Sequence, residues 1–215
     1  MRTLFPYTTL FRSGSLLRPR RRDLHVAAAT WFAAADPALR AEHLDRAGDP
    51  CAAGAYLEAA RFQTEALRLE HARRLAERGL AAAAERETLC ALNCQLGELL
   101  RELGEPERSI EACEAALAQA GDAADACRAR LGITEGLRIL DDIDAAPALV
   151  DEVQPVAEAQ ALSEVLMRLH HLRGNLLFPK GDIAGCEDGH RQSIALARAL
   201  GSAEGEARGL GGPGD

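Results

Sequence analysis

Apolar residues recur at helical spacing along most of the chain. Leu89, Leu92, Leu96, Leu99, Leu100 and Leu103 form one stripe, and Ile110, Cys113, Ala116 and Leu117 form the next. The punctuation between stripes is that of helix ends. Asp36-Pro37 and Asp49-Pro50 each set a capping carboxylate before a proline suited to a first helical turn, and Gly104-Glu105-Pro106 closes one helix and opens another. The pattern predicts antiparallel helix pairs. Upstream, Arg20 to Gly48 reads as two helices, with Leu24, Ala27, Ala28, Trp31 and Phe32 on one stripe and Leu39, His43 and Leu44 on the other.

The stripes repeat with a period of about 37 to 40 residues. Aligning them gives a column of small residues, Ala60, Gly97, Thr134, Gly174 and Gly214. A second column holds Ala72, Ser109, Ala146 and Cys186, and a third holds Gly79, Ala116, Val153 and Ser193. Small side chains at fixed positions let helix backbones approach and set how successive pairs stack. These columns resemble tetratricopeptide (TPR) repeats over four units, 53–86, 90–123, 127–160 and 167–200. The resemblance implies an all-α, right-handed solenoid of antiparallel helix pairs. The third unit departs from the pattern: Asp141 replaces the turn glycine, and Pro155 is expected to truncate or bend the second helix. Residues 14–52 form the extra N-terminal pair, and a fifth unit is expected to start near Ala207 within 201–215.

The stretch Thr3 to Ser13, TLFPYTTLFRS, resembles the in-frame translation of a short-read sequencing adapter. Residues 1–13 are therefore set aside, and the protein is expected to extend upstream of Gly14. The segments RRRDLHVAAATWF, DPALRAEHLDRAGDP and HHLRGNLLFPKGDIAGC resemble the region that follows the nucleotide-binding part of large bacterial signalling ATPases. These include ATPases joined to adenylate-cyclase or transcription-regulator domains. That resemblance implies a sensory or interaction arm whose ATPase and output domains lie elsewhere in the parent protein.

Charge removes one class of partner. With 25 Lys+Arg against 33 Asp+Glu the net charge is -8, and residues 1–22 hold six Arg and no acid, so the remainder carries 19 minus 33, or -14. A nucleic-acid-binding body is not expected. The apolar run Val26 to Ala35 is interrupted by Thr30 and is far short of the ~18 residues of a membrane span. Six cysteines (51, 90, 94, 113, 127, 186) sit in Ala/Leu-rich helical patterns, so they read as core thiols in a reducing cytoplasm.

Catalytic motifs are missing. The lone Lys180 precedes Gly181 and Asp182 rather than completing a P-loop, and Gly209 to Gly214 satisfies GxGxxG without a preceding strand. Asp141, Asp142 and Asp144 lack calcium-loop spacing, and His170, His171 and His190 lack a positioned nucleophile. No enzyme activity, cofactor or metal is expected. The informative surface is instead the inner face of the stack, carried by the first helix of each pair. One position after the first small column stand Arg61, Glu98, Glu135 and Asn175; three further on stand Thr64, Arg101, Arg138 and Phe178, with His171 a turn before Asn175. This row suits a protein or peptide partner, or another domain of the parent chain. It equally suits a solvated row that pairs with itself, Glu98 with Arg101 or Glu135 with Arg138. A free-standing TPR adaptor is the alternative role, and a small helical metal protein or enzyme the third.

Overall fold

The computed structural model describes residues 18–142 and 145–211. The adapter-like stretch, Asp144, Pro213 and Gly214 lie outside them. Every regular element among the described residues is helical: α1 (Arg18–Phe32), α2 (Pro37–Ala47), α3 (Ala52–Glu65), α4 (Leu69–Ala82), α5 (Arg86–Glu102), α6 (Pro106–Gln119), α7 (Ala123–Ile139), α8 (Ala145–Ala159), α9 (Ser163–Leu177), α10 (Ile183–Leu200) and α11 (Ala203–Gly211). A 3-10 turn, Phe178–Lys180, follows α9. The fold is all-α, and within each of two units helices pack chiefly on their neighbours in sequence, as in a helical repeat. Two compact units result, residues 1–84 with α1 to α4 and residues 85–215 with α5 to α11.

The local chemistry explains the helix ends. Asp36 Oδ1 accepts the Leu39 N–H at 3.0 Å, with Pro37 in the first turn. Asp122 and Asp182 cap α7 and α10 in the same way, accepting from Asp125 and Gly185. Asp49 differs: its carboxylate accepts the Cys51 N–H inside a turn, and α3 starts only at Ala52. The turn inside each pair uses one residue in the left-handed region, Leu67, Gly104, Asp141 and Gly181, with φ of 57°, 80°, 61° and 76°. Those steps of 37, 37 and 40 residues repeat the spacing of the small columns. Asp141 therefore takes the conformation of the glycine it replaces, and Leu67 does so although a leucine is strained there.

All described members of the three small columns are buried. At the α5–α6 crossing, a Cβ on Gly97 would stand 2.5 Å from Cys113 Sγ, and the Ser109 hydroxyl donates to the Gly97 carbonyl at 2.7 Å. The same thiol lies 2.5 Å from where a Cβ on Gly132 would be, so it is keyed between α5 and α7. At the α9–α10 crossing His190 occupies the place of Cys113 and packs on Gly174, 2.8 Å from the position of an added Cβ. Gly189 brings the two backbones closer still: its added Cβ would meet the His170 carbonyl at 2.9 Å and the Gly174 nitrogen at 3.0 Å.

Further sequence expectations change. Pro155 does not truncate its helix: α8 runs from Ala145 to Ala159 with Pro155 on the exposed side and Val150, Val153 and Ala157 buried on the other. The hydrogen bond that proline removes is thus one that water can replace. On α1 the buried residues are His25 and Ala29, whereas Leu24 and Trp31 of the expected stripe are 48% and 65% exposed. Apolar residues surround α1 on several sides, and a buried pair of imidazoles selects the face. His25 and His43 meet Nδ1 to Nδ1 at 2.9 Å, and Phe32 stacks on His43. The last helix, α11, begins before Ala207, and its buried Gly205 sits against Met167 of α9.

Candidate partner-binding row

Arg61 and Thr64 lie on α3 of the first unit. Arg61 is exposed, and the Thr64 hydroxyl donates back to the Ala60 carbonyl at 2.9 Å. The remaining seven candidates lie in the second unit, and the structure divides them into two groups.

The first group is locked into an ion-pair network across α5, α7 and α9. Arg101 pairs with Glu135 and, at 3.4 Å, with its neighbour Glu102. Arg168 Nη1 donates to Glu98 at 2.9 Å, and its Nη2 lies 3.4 Å from Glu135. The side chains of Arg101, Glu135 and Arg168 are only 11%, 13% and 17% exposed, so water screens these charges weakly. Burial, reinforced by the charge of Arg168, pulls the Arg101 pKa down, and Glu98 and Glu102 oppose that shift. The pairing within a helix that the sequence suggested, Glu98 with Arg101 or Glu135 with Arg138, is replaced by pairing between repeats. Arg168 was missed in the sequence, although it stands three residues before His171 and seven before Asn175 on the same helix face.

The second group, Arg138, His171, Asn175 and Phe178, carries no ion pair among the described residues. The buried Nε of Arg138 has no hydrogen-bond partner. Asn175 Nδ2 donates to His171 Nε2 at 3.1 Å, which leaves the proton of the neutral ring on the buried, unpartnered Nδ1. Burial lowers the His171 pKa to about 4, helped by the charges of His190, Arg208 and Arg138. Phe178 stands 62% exposed on the 3-10 turn. The columns explain the contrast. Arg101 finds Glu135 one repeat further on, whereas the position that would serve Arg138 is Asn175, which bears no charge and turns to His171.

Among the described residues no three His, Cys, Asp or Glu side chains converge as metal ligands. His170, His171 and His190 do cluster, with the rings of His171 and His190 5.1 Å apart, but as a packed pair. All six cysteines are free thiols; Cys90, Cys113, Cys127 and Cys186 are buried, and burial pushes the Cys113 thiol up to about 11. Asp141 sits in its turn, Gly209 lies inside α11, and Arg18 to Arg22 open α1. No helix among the described residues is long and apolar enough to cross a membrane. A polar cluster absent from the sequence reading occurs in the first unit. There the fully buried Tyr56 donates to Asp45 at 2.9 Å, and Arg78 lies 4.8 Å over its ring while pairing with Glu42.

No protein-family model and no curated protein matches the chain. Among solved structures it is similar to the crystal structure of BtubC (BKLC) from P. vanneervenii, at 12% sequence identity and a TM-score of 0.54. The match covers 91% of this chain and 89% of that one. At this identity the likeness concerns the helical fold.

Proposed function

We propose that the chain is a non-catalytic, TPR-like interaction segment that receives a protein or peptide partner, or another domain of its parent protein, on the Arg138, His171, Asn175 and Phe178 end of the row. The observation that carries this reading is Arg138, a partly buried guanidinium with no carboxylate to answer it among the described residues, while the equivalent Arg101 is ion-paired with Glu135 and Glu102. An acidic side chain of a partner supplies that charge, and exposed Phe178 supplies apolar contact beside it. Following the resemblance of its phrases to signalling ATPases, the segment acts as the sensory or docking arm of such a protein in the bacterial cytoplasm. It uses no cofactor and contacts neither nucleic acid nor membrane.

A photo-crosslinking residue at position 178, and a control at the exposed position 191 on α10, test the site in source-cell lysate. A discrete adduct from 178 that disappears with Arg138→Glu and is absent from 191 is expected. Identical adducts from both positions, or adducts indifferent to Arg138→Glu, contradict the reading. The ATPase setting is tested separately by the uninterrupted upstream gene, which must encode a nucleotide-binding domain.

A further inference from the structure

The second unit carries histidine only in α9 and α10; burial disfavours the proton on all three imidazoles, and two of them, His171 and His190, meet ring to ring at the crossing. His190 is 1% exposed, and neither ring nitrogen has a hydrogen-bond partner. Its ring lies on Gly174 and 5.1 Å from the ring of His171, whose Nδ1 is also buried and unpartnered. The groups around the pair offer a proton no counter-charge. Arg138 approaches His171 from α7 and Arg208 from α11, both cationic, and Asn175 on α9 donates rather than accepts. Carboxylates on the surrounding helices serve others: Glu204 pairs with Arg208 at 2.8 Å, while Glu158 of α8 and Asp188 of α10 act on His170 beside Arg173.

We propose that the α9–α10 crossing is an acid-opened latch, released when His171 and His190 take up protons. Protonating His171 Nε2 makes it a donor facing the donor Nδ2 of Asn175, so that contact breaks or the amide turns over. A proton on His190 places a charge between helices whose backbones nearly touch at Gly189 and Gly174, where water cannot enter without separating them. The closed state thus rejects protons that the opened state accepts. For a histidine whose pKa falls on closing, the stability is complete above pH 6.5, the ordinary histidine value, and drains away as pH falls from there toward the closed-state value, about 4 for His171. The helices α5 to α8 contain no histidine and lack this response. The latch is a property of the chain by itself and does not rest on the row receiving a partner.

Hydrogen exchange of the full chain between pH 7 and pH 5, corrected for intrinsic rates, tests this. Protection of α9 to α11 relative to α5 and α6 should fall at least about tenfold per pH unit below 6.5, one factor of ten for each proton taken up on opening. His190→Leu combined with His171→Gln should remove most of that slope, leaving only what His170 contributes. His171→Gln alone, which keeps an amide near Asn175 and leaves the crossing intact, should reduce it. Parallel loss of protection in both regions, or an unchanged slope in the His171→Gln single variant, overturns the latch.

Discussion

Arg101 and Arg138 occupy equivalent positions 37 residues apart on α5 and α7, yet they live differently. Arg101 is 11% exposed and pairs with Glu135; Arg138 has no ion pair among the described residues. The contrast comes from the following repeat, where the answering position is Glu135 in one case and Asn175 in the other. A repeat protein can thus carry a structural half and a receptive half on one face with a single change of column residue. Arg168 deepens the difference by bridging Glu98 and Glu135, which ties three first helices together through side chains.

The largest effect should come from unmaking the locked half. Glu135→Gln leaves Arg101 and Arg168 largely buried without their shared carboxylate, and urea unfolding should show a loss of about 3 kcal/mol. Crosslinking from position 178 should survive it wherever the protein remains folded. Arg101→Met retains the packing stem and removes the charge, so Glu135 keeps only Arg168. A loss of about 1–2 kcal/mol is expected, with crosslinking unchanged. If either variant abolishes partner capture in folded protein while Arg138→Glu does not, the two halves have been assigned in reverse.

The sequence made the helix pairs and their register legible because small residues must recur wherever backbones approach. Ala60, Gly97, Thr134 and Gly174 could be aligned on size alone, and all four are buried. The face of α1 was not legible, since a hydrogen-bonded pair of histidines from two helices decides it and apolar spacing carries no trace of that pair. Nor could the fate of Pro155 be read, because it depends on which side of α8 meets water. Of the candidate row, the polar character of Glu98, Arg101, Glu135, Arg138 and Asn175 was visible in the columns. Which charges cancel was not, because the pairing runs between repeats and through Arg168, a residue two turns from the column it serves. His190 was visible as a histidine facing His170 and His171, but its place at the crossing was not: it lines up with Cys113, and in both places a glycine meets a larger partner.

Arg138 is unanswered because position 175 is uncharged, and a double-mutant cycle between Arg138→Ala and Asn175→Glu tests this most directly. Measured by urea unfolding at pH 7, Asn175→Glu should stabilise the native protein by about 0.5–1 kcal/mol, the worth of one partly exposed ion pair, and that gain should vanish in the Arg138→Ala background. An equal effect of Asn175→Glu with and without Arg138 would contradict the account, since the guanidinium would then have no vacancy at that position to fill.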